Sequence, residues 1–438
     1  MDELKTINVD SETDSLQTAL YNNSLDKIYR DQSKVNKNPF IFNHEIKPKY
    51  KITDQFKSGR CWIFATTNLL RVIAAKQLNI SDEDKDSLDL EFSQTYIFFW
   101  DKLEKFHRAL HYYLKIKEMD KVKKVPYLLH ILNNSLQDGG QWDMVKELII
   151  KYGIVPKQAM PDSYHSKNSS DLNNFLYEML KNDFIKLDLA EPSTHPLLIR
   201  RMTKVIYNFL VGFLGQPPKE FDFSYKLKDK VVILNNLTPL DLLKKIEFNP
   251  DDWISVVNDP RPSNPYNNYY QIEFTGNVKN QHIGWINVEM NRIEELTKES
   301  IDKNIPVWFG SDVSAERDKT SGIMDVNIIN FRKAYNLQPN INKIEKLETL
   351  LSVPNHAMVI IGYNYNHDKI ERWEIENTWG DTEGNKGYLL MTNEWFHQYV
   401  YQVVVHKSLL NENEKKILDN MKDAPRIIPP WDPLGTLA

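Results

Sequence analysis

The sequence contains a single cysteine, Cys61, in 438 residues. One thiol can form neither an intrachain disulfide nor a metal site built from several cysteines. The fold must therefore be stabilised by buried apolar surface, and 41% hydrophobic against 26% charged residues is ordinary for a globular protein of this kind. A chain of this length is expected to form two or three packed lobes.

Two interpretations of Cys61 remain, a buried and inert thiol or a nucleophile. Its surroundings favour the nucleophile, because Ser58 and Gly59 are small, Arg60 adds positive charge, and an apolar, helix-patterned run follows at once. A thiolate at a helix N-terminus is stabilised by the helix dipole and by free backbone N–H groups. We therefore expect the pKa of Cys61 to lie below that of a free thiol.

Charge and hydropathy argue against two classes of partner. The net charge is −5 and the pI is near 6.2, so no overall basic field attracts nucleic acid or an anionic membrane. Lysines between 115 and 124 are interrupted by Glu118 and Asp120, which indicates a solvated helix face. The N-terminus lacks the apolar core of a signal peptide, and no run reaches the roughly 18 apolar residues of a membrane span. With a single cysteine, this pattern predicts a cytoplasmic location.

The two halves of the chain differ in pattern, which predicts an α+β fold class. Apolar residues recur at helical spacing in 61–78, 93–117, 172–187, 197–214 and 240–246. From residue 253 onward, β-branched and aromatic runs separated by turn residues predict a sheet or barrel. The predicted strands are 253–257, 307–309, 358–363, 372–376, 388–391 and 400–405.

Five segments follow from these patterns. Residues 1–50 are polar and irregular and are predicted to lie over the main body, and residues 51–160 to form a helical lobe with the nucleophile. Residues 161–250 are predicted to be a helical insertion, 251–407 a β-rich lobe, and 408–438 a C-terminal arm. The arm is rich in proline, which favours an extended, polyproline-like chain.

A cysteine nucleophile needs a base, a group that orients the base, and donors for the oxyanion. His356 begins an apolar, strand-like run, and Asn377 follows another such run, just before Trp379 and Gly380. The asparagine oxygen can accept from an imidazole N–H without adding charge, and Trp379 can shield that hydrogen bond from water. Each feature alone is weak, since one histidine among eleven is usually a packed core residue. Together they indicate nucleophilic catalysis by Cys61.

These residues resemble the catalytic Cys, His and Asn of the papain-like cysteine peptidases. Ser-Gly-Arg-Cys-Trp at 58–62 is similar to the bleomycin hydrolase and aminopeptidase C family, whereas secreted papains carry Cys-Gly-Ser before the nucleophile. Further similar motifs are Phe92-Ser-Gln-Thr-Tyr96, Asp138-Gly-Gly-Gln-Trp-Asp143, Pro306-Val-Trp-Phe-Gly310 and Trp431-Asp-Pro-Leu-Gly435. The resemblance covers nearly the whole chain. It implies a two-lobe papain-like fold, one lobe helical and one β-barrel-like, with helical insertions and an extended C-terminal arm.

The resemblance also implies a role for each matching residue. Cys61 would be the nucleophile, His356 the general base and then acid, and Asn377 the group that orients His356. Gln55 would donate its amide to the oxyanion, beside the backbone N–H of Cys61. Gly139-Gly140 would hold the substrate backbone. No metal or organic cofactor is implied.

In this family the C-terminal arm lies in the active-site cleft and blocks its non-primed side. The carboxylate of Ala438 would then attract the α-ammonium group of a peptide. Ala438 and Trp379 are therefore predicted to contact the substrate. The resemblance implies a cytoplasmic cysteine aminopeptidase that acts on peptides and on small amides of the bleomycin type and assembles as a homohexamer.

The chain departs from the family pattern in several places. The separation between Cys61 and His356 far exceeds the roughly 130–150 residues of simple papain-like enzymes, which fits helical insertions between them. Asp54, Asn355 and Thr378 replace more usual neighbours of the motifs without removing a catalytic group.

Three alternatives to an aminopeptidase remain open. The chain could be an endopeptidase if the arm does not block the cleft, or a nucleic-acid-binding member of the family, which the net charge of −5 disfavours. A catalytically silent scaffold is the third, and the complete set of Gln, Cys, His and Asn argues against it.

Overall fold

The computed structural model describes residues 11–80, 90–227, 230–278, 282–330, 341–421 and 425–436. Its N-terminal segment lies against the β-rich part through the ion pairs Arg30–Asp318 and Lys34–Asp325. The elements of this segment are α1 (Ser11–Leu20), α2 (Leu25–Tyr29), α3 (Gln32–Lys37) and β1 (His44–Glu45). The polar and irregular sequence pattern did not predict these helices. At α3 a local cap starts the helix, since the Asp31 carboxylate accepts from two backbone N–H groups.

Four helices form the layer that carries the cysteine. They are α4 (Cys61–Gln77), α5 (Gln94–Lys117), α6 (Lys121–Asn134) and α7 (Trp142–Tyr152). The predicted helices at 61–78 and 93–117 are confirmed, and Ser93 caps α5 by accepting from the N–H of Tyr96 at 3.1 Å. Helix α4 is buried on nearly every face because it packs between the other helices and the sheet.

The segment 161–250 contains the three predicted helices and also a hairpin. Its elements are α8 (Tyr164–Lys167), α9 (Ser170–Leu189), α10 (His195–Leu214), β2 (Phe221–Leu227), β3 (Lys230–Leu237) and α11 (Pro239–Lys245). Strands β2 and β3 pair antiparallel and stay separate from the main sheet. The prediction of a helical insertion did not include this hairpin. Side chains of the hairpin alternate between a buried and an exposed face, as expected for strands. Phe223 and Tyr225 lie on the buried face, whereas Val231 and Ile233 of β3 lie on the exposed one.

One large sheet forms the second half of the chain. Its further strands are β4 (Trp253–Val257), β5 (Asn268–Ile272), β6 (Ile283–Asn287), β7 (Val307–Ser311), β8 (Arg317–Asp318), β9 (Ile323–Met324), β10 (His356–Asn366), β11 (Lys369–Glu376), β12 (Tyr388–Thr392), β13 (Val400–His406) and β14 (Arg426–Ile428). The pairing order is β14-β5-β6-β4-β13-β7-β10-β11-β12-β9-β8, with β1 beside β10. All six predicted strands are confirmed, whereas β1, β5, β6, β8, β9 and β14 of this sheet were not predicted.

Helices cover this sheet and short 3-10 turns connect its parts. The helices are α12 (Met290–Asp302), α13 (Lys343–Glu348), α14 (Asn393–Tyr399) and α15 (Glu412–Asp419). Within the described residues, 3-10 turns are found at Lys157–Ala159, Pro192–Thr194, Pro250–Asp252, Lys407–Leu409 and Pro433–Gly435. None of the helices in the described ranges combines the length and the apolar character needed to cross a bilayer.

The helical layer and the sheet meet along α4. The indole N–H of Trp308 on β7 donates to the carbonyl of Trp62 at 3.2 Å. Further along the helix, Arg71 forms a buried ion pair with Glu376 at the end of β11. These contacts hold the N-terminus of α4, and hence Cys61, against the edge where β10 begins and β11 ends.

The C-terminal segment returns from the sheet toward this junction. Strand β14 pairs in parallel with β5, so Ile427 lies opposite Gln271. The polyproline-like prediction is wrong for β14, because the residues between Pro425 and Pro429 keep their N–H groups and can join a sheet edge. After β14 the chain turns through Pro433–Gly435 and ends, within the described residues, at Thr436.

Candidate active site

Cys61 is the first residue of α4 and is only 2% exposed. Its thiol interacts with the backbone N–H groups of Ala357, Trp62 and Cys61 itself. Ala357 directly follows His356, so the thiol of the predicted nucleophile lies beside the residue next to the predicted base. The helix start and the sheet edge thus bring together two residues far apart in the sequence.

Burial dominates the ionisation of Cys61. It raises the pKa of the thiol to about 11, and the three backbone N–H groups oppose this rise only in part. The carboxylate of Asp138 raises the pKa further, because it disfavours a second negative charge nearby. The expectation of a lowered pKa is therefore wrong, since it considered the helix dipole and not the loss of solvent around the thiol.

His356 and Asn377 form the hydrogen bond that the sequence predicts. The Nε2 atom of His356 lies 2.9 Å from Oδ1 of Asn377, and both residues are buried. The antiparallel pairing of β10 and β11 explains this contact, because it places the start of one strand beside the end of the other. An acceptor at Nε2 assigns the N–H to that nitrogen and leaves Nδ1 with a free lone pair.

One aromatic side chain, Trp379, and one charged side chain, Arg317, complete the surroundings of His356. The ring of Trp379 stacks on the imidazole with centroids 4.4 Å apart, and the guanidinium of Arg317 lies 4.5 Å from the centroid of the Trp379 ring. Burial lowers the pKa of His356 to about 4; the Asn377 hydrogen bond opposes this shift and the charge of Arg317 adds to it. Trp379 thus packs on the ring that forms the Asn377 hydrogen bond, and its role in shielding that bond from water remains a prediction.

The ionisation of the Cys61 thiol has to be considered together with that of the His356 imidazole. Burial disfavours charge on either group alone, so the pair retains one proton over a wide pH range. Transfer of that proton from Cys61 to His356 would leave two opposite charges, whose attraction would offset part of their desolvation.

Gln55 is held in place by two contacts of its side-chain amide. Its Nε2 donates to the carbonyl of Ser58 at 2.7 Å, and its Oε1 accepts from the hydroxyl of Thr378 at 2.6 Å. The backbone N–H of Gln55 also donates to the carbonyl of Thr378 at 2.8 Å. One hydrogen of Nε2 remains for an oxyanion. The sequence marked Thr378 only as a departure, and the structure shows that it orients Gln55.

The loop before Cys61 is clamped by buried charges. The Asp138 carboxylate accepts from the N–H of Gly59 at 3.1 Å and from Nζ of Lys102 at 2.7 Å, and it also bonds the Ser169 hydroxyl. Burial opposes ionisation, yet Lys102 and these hydrogen bonds hold the pKa of Asp138 well below its usual range. The sequence alone assigned no role to Asp138, the first residue of the motif Asp138-Gly-Gly-Gln-Trp-Asp143.

Arg60 makes the second contact of this clamp. It is fully buried, and its guanidinium pairs with Asp162 at 3.0 Å at the start of the insertion. Its charge therefore serves to fix the loop to the insertion, and the contact explains why a positive residue precedes the nucleophile.

Gly139 and Gly140 lie beside the nucleophile helix. A Cβ at Gly140 would come within 2.5 Å of the Trp62 ring, so this glycine is required by packing against Trp62. The carbonyl of Gly139 accepts from Lys105 at 2.7 Å. A role of the pair in substrate binding remains a prediction.

The arm reaches the site from the other side. The hydroxyl of Thr436 donates to the carbonyl of Pro354, two residues before His356, at 2.8 Å. The side-chain amide of Gln141 donates to the carbonyls of Leu434 at 3.1 Å and Thr436 at 2.8 Å. The predicted contact of Ala438 with substrate falls outside the described residues. In the described ranges, no group of three His, Cys, Asp or Glu residues could hold a metal ion.

Comparisons with known proteins agree with this geometry. The sequence model of the Peptidase C1-like family matches residues 3–435. Aminopeptidase C of Listeria innocua is 36% identical over 403 residues, covering 91% of this chain and 88% of that protein. Aminopeptidase C of Lactobacillus delbrueckii subsp. lactis is 37% identical, covering 93% and 90%. Bleomycin hydrolase of Homo sapiens is 34% identical, covering 91% and 89%.

A solved structure extends the likeness to the whole fold. The crystal structure of PepW from Lactobacillus rhamnosis superposes with a TM-score of 0.92 at 34% identity. The match covers 100% of this chain and 98% of that chain. The mixed helical and sheet architecture is thus shared over the full length. The chain belongs to the Peptidase C1-like family and is a papain-like cysteine peptidase.

Proposed function

We propose that this protein is a cysteine aminopeptidase that removes N-terminal residues from peptides. The observation that carries the proposal is the position of Thr436, which contacts both Gln141 beside the glycine pair and Pro354 near His356. Thr436 is thus held from both sides, and in our proposal the arm lies between the two sides of the cleft. Peptide could then extend freely only on the leaving-group side. The names of the aminopeptidase C relatives support the same activity.

The proposed reaction begins with transfer of the Cys61 proton to His356. The thiolate attacks the carbonyl carbon of the scissile amide, and the electron pair of the C=O bond moves onto oxygen. The remaining N–H of Gln55 Nε2 and the backbone N–H of Cys61 stabilise this oxyanion. As the intermediate collapses, the C–N bond breaks and His356 gives its proton to the leaving amine.

Water then completes the cycle. His356, again neutral, accepts a proton from the attacking water, and the thioester bond to Cys61 breaks to release the acid. Asn377 keeps the N–H of His356 on Nε2, so that Nδ1 carries the transferred proton in both halves of the reaction. Trp379 keeps water from the Asn377 hydrogen bond, and in our proposal its outer edge also contacts substrate.

The substrate's N-terminus would be recognised by charge. We propose that the chain-terminal carboxylate of Ala438 binds the α-ammonium group, with Gly139 and Gly140 beside the substrate backbone. The bleomycin hydrolase relatives extend the proposed substrates to small amides of that type. We further propose that each chain is organised in the five predicted segments, from the lead-in at 1–50 to the arm at 408–438. Six such chains would assemble as a homohexamer in a reducing cytoplasm, and light scattering would test this assembly.

Matched substrates test the proposal. A fluorogenic aminoacyl amide and its N-acetylated form differ only in the α-ammonium group. We expect the protein to hydrolyse the free form and to leave the acetylated form essentially intact, with all activity lost after alkylation of Cys61. Equal rates on both forms would instead show an endopeptidase or general amidase and would overturn the aminopeptidase assignment.

A further inference from the structure

The last described turn of the arm, Pro433–Gly435, is buried against the body and is also joined to it by a few polar side chains. Asp432 is the central one, because its Oδ1 atom accepts from Nη2 of Arg261 at 2.9 Å and from the backbone N–H of Leu434 at 2.9 Å. The same carboxylate therefore caps the turn Pro433–Gly435 and joins it to the sheet lobe. Gln141 holds the next carbonyls from the helical lobe.

Arg261 is held in place by contacts that do not involve the arm. Its Nε and Nη2 atoms lie 2.9 and 2.7 Å from the two oxygens of Asp259, a bidentate pair with defined geometry. Asp259 is itself buried and also accepts from Asn264 at 2.6 Å, while its backbone N–H donates to Asn287 at 2.8 Å. The guanidinium is thus presented to Asp432 at little further cost in conformational entropy.

The guanidinium of Arg261 attracts the carboxylate of Asp432 in the arm as well as that of Asp259. One guanidinium faces two carboxylates, and although burial lowers the pKa of Arg261, Asp259 and Asp432 raise it overall. The side chains of Arg261 and Asp432 are only 10% and 11% exposed, so salt screens their attraction less than it would at an open surface. The pair therefore contributes more than a typical exposed ion pair.

We propose that Arg261, Asp432 and Gln141 form a latch that sets how far the arm enters the cleft and thereby determines aminopeptidase specificity. This inference rests on the proposed function. Asp432 and Arg261 touch no reacting atom and act by positioning the residues that follow, up to Thr436. Loosening the latch should open the non-primed side of the cleft while leaving the Cys61 chemistry intact.

Asp432→Asn is the most direct test, because Asn can still cap the N–H of Leu434 but removes the charge that faces Arg261. Glu414→Gln is a matched control, since it neutralises the carboxylate that Arg292 binds at 2.9 Å elsewhere in the C-terminal segment. We expect Asp432→Asn to raise hydrolysis of an N-acetylated peptidyl amide about tenfold, which corresponds to the loss of one charge-assisted contact. Free aminoacyl amides should be cut within a few-fold of the parent rate, and Glu414→Gln should leave the acetylated substrate uncut.

A second measurement does not depend on activity. Carboxypeptidase should release C-terminal residues from Asp432→Asn much faster than from the parent or Glu414→Gln, and Arg261→Lys should fall between, because it keeps the charge but loses the fork. If Asp432→Asn matched Glu414→Gln in both readouts while the parent remained an aminopeptidase, the latch would be wrong. A parent protein that already cuts acetylated substrates as fast as free ones would overturn the proposed function instead.

Discussion

The catalytic centre and the arm are held in opposite ways. Cys61, His356 and Asn377 lie at the ends of long regular elements and are almost completely buried. The last described part of the arm is one short buried turn, Pro433–Gly435, whose polar contacts run through Asp432 and Thr436, with Trp431 half-exposed beside it. The fold therefore fixes the chemistry with long elements of both lobes and fixes access to it with a single short turn. Changes in the centre should lower all activity, whereas changes in the arm should alter which substrates are accepted.

The largest effect is expected at the nucleophile. Cys61→Ala removes the attacking atom and should reduce hydrolysis of aminoacyl amides by at least about 10⁴-fold. The change is small in volume, so the free energy of unfolding should fall by only about 1 kcal/mol. Initial rates with a urea unfolding curve check both. Residual hydrolysis within tenfold of the parent rate would show that the chemistry does not depend on Cys61.

Gln55 should have the next largest effect. Gln55→Ala removes a donor to the oxyanion and should lower kcat about 100-fold with little change in KM. Acetylated substrates should stay uncut, because the arm is untouched. A higher KM at an unchanged kcat would instead make Gln55 a ground-state binding residue.

Thr378 should have a smaller effect through Gln55. Thr378→Val keeps the shape but loses the hydroxyl that donates to Gln55 Oε1. We expect kcat to fall about fivefold, the equivalent of one neutral hydrogen bond of about 1 kcal/mol. In the Gln55→Ala background the same substitution should have no further effect on kcat, which a double-mutant cycle would measure. Additive effects would separate Thr378 from the oxyanion site.

The smallest expected effect is that of pH on the thiol. The pKa of His356 is lowered to about 4, so a second proton binds the pair only below that pH. The pKa of Cys61 is raised to about 11, so the last proton leaves only above that pH. Alkylation by iodoacetamide should therefore be nearly constant between about pH 5.5 and 9. A rate that rose tenfold per pH unit, as for free cysteine, would show that no proton passes from Cys61 to His356.

Sequence patterns predicted the parts of the molecule that depend on local periodicity. The strand at Trp253–Val257 and the helix from Cys61 follow apolar patterns that burial preserves. Strands Asn268–Ile272 and Ile283–Asn287 were missed because polar and glycine residues interrupt their patterns. The helix Gln32–Lys37 was missed because a polar cap at Asp31, and not apolar periodicity, defines its start.

The site divides in the same way. The order of Cys61, His356 and Asn377 and their local settings were enough to predict the His356–Asn377 hydrogen bond. The raised pKa of Cys61 was not predicted, because desolvation depends on what packs over the thiol. The contact between Arg261 and Asp432 joins residues distant in sequence, and no local pattern marks either one as a partner of the other.

The most direct test of the account is the effect of the arm on substrate choice. It compares the free and N-acetylated forms of one peptidyl amide in the intact chain and in a chain that ends at Trp431. We expect the intact chain to cut only the free peptidyl amide and the shortened chain to cut the free and acetylated forms at similar rates, with Cys61 still required. An intact chain that cuts both forms equally, or a shortened chain that still rejects the acetylated form, would contradict it.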